Sequence, residues 1–270
     1  GMVLADLGAD VIKIEDPRHL DEARSMGPYF QGEQSLYFAS LNSGKRSIAL
    51  DLSSAEGRDT ALALVQTADV VLDNYRPNVL RKLGLGYEVM RAAKPSLVTC
   101  SITGFGLTGP DADRAGYDYT IQALTGVMSM GGEPDGPPSK AGISYVDHSG
   151  GLAAAFGVCA ALVKRGTTGE GTHVDASLFD VQVSMLTYLA SWQRNAGATV
   201  ERMPYSSHPS LVPAQNFRTA DGWVAVFVGN DGMWKRFVEV MGLAALADPA
   251  LATTGGRREQ RDRVLGIIQD

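Results

Sequence analysis

Short apolar runs alternate along this chain with longer stretches in which apolar residues return every three or four positions. Residues 11–15 (VIKIE), 47–52 (SIALDL), 70–72 (VVL), 97–102 (LVTCSI) and 173–177 (HVDAS) have the length and β-branched content of strands. Helical spacing covers residues 2–8, stopped by Gly8. It returns at 57–67, where Ser54-Ala55-Glu56 opens a helix carrying Ala61, Leu62, Leu64 and Val65. Residues 78–93, 119–130, 150–163 and 178–196 also read as helices, the third built from small apolar residues. Segments 18–36 and 131–140 are polar or rich in glycine and proline and read as irregular. Strand–helix–strand at this rhythm implies βαβ units and a parallel sheet covered on both faces. The helical pattern is already under way at the first residue without a cap, which points to a truncated amino terminus.

The texture changes near residue 200. Residues 202–216 are rich in Pro, Ser and His, residues 223–228 (WVAVFV) read as a strand after an Asp221-Gly222 turn, and 233–241 as a helix. Residues 257–270 read as a helix cut off in mid-course. The expected organisation is a Rossmann-like α/β domain over 1–197, its first strand missing, followed by a linker and the start of a smaller α+β domain over 198–270.

Hydrophobic residues make up 44% of the chain and charged residues 20%, the balance of a globular protein. The net charge of −6 argues against broad nucleic-acid binding, which needs a positive surface. No run reaches the roughly 18 apolar residues of a membrane span, so no membrane partner is expected. Two isolated cysteines, Cys100 and Cys159, suit a reducing compartment, and a cytoplasmic location is expected. The four histidines lack ligand spacing and no C-x-x-C pair occurs, so no metal site is expected. The phosphate loop G-x-x-x-x-G-K-[ST], the G-x-S-x-G elbow and the dinucleotide fingerprint are all missing, which removes support from nucleotide hydrolysis, serine hydrolysis and dinucleotide redox chemistry.

Five segments in order carry a resemblance: LADLGADVIKIEDP (4–17), LNSGKRSIALDL (41–52), ADVVLDNYRPNVLRKLGLGYE (68–88), SITGFGLTGPDADRAGYD (101–118) and ALVKRGTTGEGTHVDASLFD (161–180). Together they resemble the family III CoA-transferases, the CaiB/BaiF family, which also contains α-methylacyl-CoA racemase. The resemblance implies transfer of coenzyme A from an acyl-CoA thioester to a free carboxylic acid through an aspartyl covalent intermediate. Coenzyme A or acyl-CoA is then a substrate, with no tightly bound cofactor. It implies homodimers that interlock in the full-length protein, and a chain truncated at both ends.

The nucleophile it implies is Asp147, in GISYVDHSG (142–150) ahead of the small-residue helix. A carboxylate exposed in a cleft can attack a thioester, and an aspartate at that place can equally be a helix N-cap. Tyr117 stands where the racemase branch carries histidine; its phenol suits lining a thioester site better than shuttling protons at neutral pH. By resemblance Asn74, Tyr75, Lys82 and Leu83 contact CoA, as do Leu50 and Ser53, while Arg24, Lys45 and Arg46 are candidates for phosphate. Asp16 stands where relatives carry a basic residue. His208, in an HPS stretch similar to that of relatives using dicarboxylic acids, implies a small dicarboxylate acceptor, with Arg202 and Arg218 as candidate partners for the second carboxylate. Two alternatives stay open: a 2-methylacyl-CoA racemase or epimerase, and a non-catalytic CoA-binding or structural subunit.

Overall fold

The computed structural model describes residues 1–270. The chain forms two compact units, residues 1–125 with 143–187, and residues 126–142 with 188–270.

The first unit opens with α1 (Met2–Asp6), β1 (Val11–Glu15) and a 3-10 turn at Glu22–Arg24. The two-residue strands β2 (Phe30–Gln31) and β3 (Gln34–Ser35) follow, then α2 (Leu36–Asn42) and β4 (Lys45–Ala49). Next come α3 (Ala55–Thr67), β5 (Val70–Asp73), α4 (Val79–Lys82), α5 (Tyr87–Ala93) and β6 (Val98–Thr103). The unit closes with α6 (Asp118–Leu124), α7 (Tyr145–Thr168), β7 (His173–Ser177) and α8 (Leu178–Met185).

The class is α/β with parallel strands, as the sequence implies, but the strands fall into two ladders. β1 pairs with β4, Val11 opposite Lys45, and β5–β6–β7 form a second ladder, all parallel. β6 is its central strand and is buried along almost its whole length. Cys100 packs with Ala154 and Val158 of α7 and Ala176 of β7. The polar residues of β6 are matched: Thr99 Oγ1 lies 2.7 Å from His173 Nδ1, Ser101 donates to Asp73 at 2.7 Å, and Thr103 accepts from Gly106 N at 2.9 Å. α7 is long and apolar enough to cross a membrane by length and composition. Here it covers the β6–β7 ladder as a crossover helix.

Several elements depart from the pattern-based reading, each for a local reason. The helix expected over 78–93 is two helices, because the chain turns between them with Gly84 at φ +74°. The helix expected over 119–130 ends at Leu124, ahead of Gly126 at φ +80°. The helix over 178–196 breaks at Thr187, φ +42°, before α9 (Thr187–Ala196). α2 lies partly in the polar stretch read as loop. It rests on Ser35, whose hydroxyl accepts from Phe38 N, and on one buried residue, Phe38, which is too little to show as a period.

In the second unit β8 (Ala214–Arg218) and β9 (Trp223–Phe227) form an antiparallel hairpin, followed by α10 (Asp231–Met241), α11 (Thr254–Glu259) and α12 (Arg261–Gln269). β8 runs AQNFR without alternating hydrophobicity, so its strand character comes from its partner. The core gathers Val212, Val228, Trp234, Leu246, Leu251 and Val264. Arg257 is fully buried in it. Its guanidinium donates to Val212 O at 2.9 Å, Leu251 O at 3.1 Å and Ala252 O at 3.2 Å, pairs with Asp231 at 2.9 Å, and lies 4.9 Å from the Trp234 ring centre. Segment 126–142 belongs to this unit, tied by Arg202, which donates to the carbonyls of Ser129 and Glu133 at 3.3 Å each and to that of Gly136.

Candidate active site

The carboxyl ends of β5, β6 and β7 share one edge, with Asp73 opposite Ser101 and Thr103 opposite Ser177. In an open α/β sheet this edge is where ligands bind. Asn74 and Tyr75 leave β5 there, Gly104 leaves β6 and Leu178 leaves β7. α7 runs back from the same edge. Its buried Gly150 lies against Leu178, so close that an added Cβ would come within 2.2 Å of Leu178 Cδ2. Asp147 stands about one turn ahead of Gly150, exposed, in the first turn of this 24-residue helix.

The helix starts five residues before the 150–163 segment that the sequence suggests. Asp147 is therefore not its N-cap; Ser144 holds that position and makes no side-chain cap. The cap comes from elsewhere. Buried Asp118, the first residue of α6, accepts from Val146 N at 2.9 Å and from Gln122 Nε2 at 2.8 Å. The loop that delivers it depends on two glycines back to back: a Cβ on Gly104 would meet Gly116 Cα at 2.6 Å. The sequence drew attention to Tyr117 in this AGYD segment, and the structure leaves Tyr117 68% exposed at the same edge. The role of Asp118 was missed; its one signal was an acidic residue fixed in a glycine-flanked motif.

The β5 end is equally built. Asp73 Oδ1 accepts from Tyr75 N at 3.1 Å and Oδ2 from Ser101 Oγ at 2.7 Å. Burial pushes the Asp73 carboxyl up, against the pull of those two bonds. Asn74 is exposed and Tyr75 is 44% exposed. The Tyr75 phenol is raised by burial, then by the charges of Asp73 and Asp16, which places the end of β1 within electrostatic reach of the end of β5. Lys82, the exposed last residue of α4, precedes half-buried Leu83.

At the ends of β1 and β4, Arg18 is clasped by Asp16 at 3.0 Å and Asp51 at 2.8 Å and reaches Ser53 Oγ at 3.2 Å. The Arg18 guanidinium holds the Asp16 carboxyl down at about 2. The cation at this rim is thus Arg18, two residues beyond Asp16 and absent from the candidates that the sequence offered. Leu50 is half-buried, its N–H bonded to Glu15 O at 2.9 Å.

The remaining basic candidates are engaged inside the unit. Arg24 meets Glu15 through two bonds of 2.9 and 2.7 Å and lies 4.0 Å over the Phe38 ring. That hydrogen bonding lowers the Glu15 carboxyl to about 2 against the opposing effect of burial. Arg46 pairs with Asp10 at 2.6 Å, and Lys45 donates to Leu41 O at 2.9 Å and to Asn42 Oδ1 at 2.7 Å.

In the second unit His208 lines an open cavity of about 400 Å³ with Ser206, Ser207, Gln215, Asn216 and Phe227 among its walls. The arginines expected beside it are elsewhere. Arg202 is bonded to the carbonyls of segment 126–142, and Arg218 lies 5.6 Å over Trp223, so neither lines the cavity.

This arrangement of parallel ladders, glycine-bound loops and a capped aspartate-bearing helix has a family. The chain belongs to CoA-transferase family III, whose profile matches residues 1–270. The family and enzyme class expected from the five segments are therefore the ones found.

Among its relatives is the succinate–glutarate CoA-transferase of Agrobacterium fabrum. It is 43% identical over 275 residues, which cover 99% of this chain and 68% of that protein. The acetyl-CoA:oxalate CoA-transferase of Acetobacter aceti is 38% identical, covering 99% of this chain and 69% of the relative. The crystal structure of a CaiB/BaiF family protein from Brucella suis superposes with a TM-score of 0.84 at 39% identity, covering 100% of this chain and 72% of that one. The chain thus spans roughly two thirds of the length of these relatives.

Proposed function

We propose that the protein moves CoA from an acyl-CoA thioester to a short dicarboxylic acid, with Asp147 as the covalent nucleophile. The observation that carries this reading is the placement of Asp147: exposed in the first turn of α7, at the carboxyl edge of β5–β7, on a helix end fixed by Asp118. Negative charge is favoured at a helix amino terminus, and the backbone N–H groups of that turn lie near charge developing on an attacked carbonyl.

The Asp147 carboxylate attacks the thioester carbonyl, the C–S bond breaks, and a mixed anhydride and CoA thiolate form. The thiolate attacks the aspartyl carbonyl, releasing the donor acid and leaving an aspartyl-CoA thioester. The acceptor carboxylate attacks that thioester and frees the thiolate. The thiolate then takes the acyl group from the new anhydride and restores Asp147. No proton is gained or lost overall.

Asn74, Tyr75, Lys82 and Leu83 at the β5–α4 end, Leu50 and Ser53 at the β4 end, and Tyr117 beside α6 are the proposed CoA contacts. Arg18 adds a cation at the β1–β4 rim. Arg24 shapes that rim through Glu15.

The dicarboxylate reading is supported by the substrates named for the relatives, succinate and glutarate for one and oxalate for the other. His208 belongs to this reading as an acceptor-binding residue. A homodimer is supported by the exposed Leu152, Phe156 and Val163 on α7, and a cytoplasmic location by the two unbridged cysteines.

The racemase alternative is disfavoured by the phenol of Tyr117 and by the transferase activities named for the relatives. The test is Asp147→Ala with succinyl-CoA and a panel of free acids, together with hydroxylamine trapping of the acylated enzyme. Transfer should be lost, and the label should sit on Asp147 in the parent protein. Near wild-type kcat in the variant refutes the assignment.

A further inference from the structure

One level below the carboxyl edge of the β5–β6–β7 ladder, Asp73, Ser101 and Asp175 stand side by side across the three strands. Asp73 is the last residue of β5. Its Oδ1 accepts from Tyr75 N at 3.1 Å, and its Oδ2 accepts from the hydroxyl of buried Ser101 at 2.7 Å. The first bond reaches two residues on and closes an Asx turn over Asn74. At the far end of the same turn Val79 N donates to Arg76 O at 3.2 Å. The next loop is tied in the same manner: Asp175 Oδ2 accepts from Leu107 N and Thr103 Oγ1 from Gly106 N, each at 2.9 Å.

Asp73 is half-buried, burial pushes its carboxyl up, and no lysine or arginine is among the groups that offset that effect. A carboxylate taken from water without a cation costs stability. What it supplies in return is a charge-assisted bond to a backbone N–H, stronger than a neutral acceptor gives. The pleat separates this device from the nucleophile's helix. Successive residues of a strand face opposite ways. Cys100 of β6 packs on Ala154 and Val158 of α7, so Ser101 and its neighbour Asp73 lie on the other face of the ladder. The Asp73 carboxylate therefore acts on the turn that carries Asn74 and Tyr75 and not on α7. Fixing a binding loop in its bound conformation strengthens binding by removing the cost of ordering it.

We infer that Asp73 is a positioning residue for CoA: its carboxylate, oriented by Ser101, holds the Asn74–Tyr75 turn in the conformation that receives CoA before CoA arrives. This rests on the assignment of Asn74 and Tyr75 to CoA made above. Asp73 itself touches neither CoA nor the reacting atoms, since both its oxygens are taken by Tyr75 N and Ser101.

The experiment compares wild type with Asp73→Ala, Asp73→Asn and Ser101→Ala. Calorimetric titration with CoA gives Kd, and initial rates with succinyl-CoA and glutarate give KM and kcat. Asp73→Ala should raise Kd for CoA and KM for succinyl-CoA about tenfold, the worth of one hydrogen bond to a charged group. Its kcat should stay within about twofold of wild type, because the loss is one of binding alone. Asp73→Asn keeps an oxygen for Tyr75 N and can donate to Ser101 Oγ, so it should raise both constants only about threefold. Ser101→Ala leaves the carboxylate free to turn and should have an effect of similar size, about threefold.

Constants unmoved in Asp73→Ala overturn the inference, as does a fall in kcat at constant KM or an asparagine variant no better than alanine. Should Asp73→Ala fail to fold, Ser101→Ala decides, and an unchanged Kd there overturns it. A wild-type protein that binds CoA and transfers none sinks the transferase reading and leaves the Kd comparison to judge Asp73. A wild-type protein that does not bind CoA sinks both.

Discussion

Replacing Asp118 by alanine tests whether the active-site helix is held from outside. In the folded chain the Asp118 carboxylate accepts the N–H of Val146 at 2.9 Å and the amide of Gln122 at 2.8 Å, and Val146 and Gln122 are both fully buried. Alanine leaves the Val146 N–H without that acceptor in a place water does not reach. A buried unsatisfied donor costs about 1–3 kcal/mol, and a lost N-terminal cap about 0.5–2 kcal/mol. The two figures describe one loss and do not add. The Gln122 amide gives up the same acceptor, which moves the cost toward the upper end, about 2–3 kcal/mol. For a chain of this size that is a fall in Tm of about 5–10 °C. The substitution Asp118→Asn keeps one side-chain oxygen for Val146 and should lose about half as much.

The functional effect is sharper than the thermal one. Asp147 sits one residue after the capped N–H, and a displacement of about 1 Å at a reacting group can cost about 10²-fold in rate. Thermal melts and initial-rate transfer kinetics on both variants provide the check. The expected outcome is a large fall in kcat with a small change in KM for acyl-CoA. A melt within about 1 °C of wild type together with kcat within about twofold refutes the reasoning. A loss of kcat with no loss of stability instead assigns Asp118 to the chemistry itself.

Three further outcomes follow from the same structure. Glu15, with its side chain 4% exposed, is held at about 2 by the Arg24 guanidinium, so its folded pKa lies below its unfolded one. The stability it adds is present above the unfolded value near 4.5 and is lost as pH falls through about 2. Arg24 is itself part exposed, so this is worth about 1–2 kcal/mol, and Glu15→Gln should flatten that acid limb in urea titrations at pH 7, 4.5 and 3. Arg257→Ala should cost about 3–5 kcal/mol by stranding three carbonyls in the second unit's core, read as a lower urea midpoint, with Arg257→Lys recovering little because it lacks the planar fork. With Tyr117 in the place of a racemase histidine, incubation with 2-methylacyl-CoA in D₂O should give negligible α-deuteration; rapid exchange without an acceptor acid would favour the racemase instead.

The parallel strands and the helix Ala55–Thr67 were legible in the sequence because their causes are local. A β-branched run, an alternating apolar face and Ser54 accepting from Gly57 N at 3.0 Å all act within a few residues. Family membership was legible for a related reason: glycines such as Gly104 and Gly116 are demanded by close backbone approach, and such demands leave fixed letters in the chain. The start of α7 was not legible. Gly150-Gly151 reads locally as a place where a helix begins, and only contact with Leu178 and the carboxylate of Asp118, 28 positions away from Val146, carries the helix through it. Arg24 and Arg202 look alike as surface cations in sequence. The tertiary structure commits one to a buried glutamate and the other to backbone carbonyls, because a guanidinium binds the acceptors that folding brings within reach. His208 is fixed the same way: the sequence supplies an imidazole, and the fold supplies the turn that aims the N–H groups of Ser210 and Leu211 at its Nδ1.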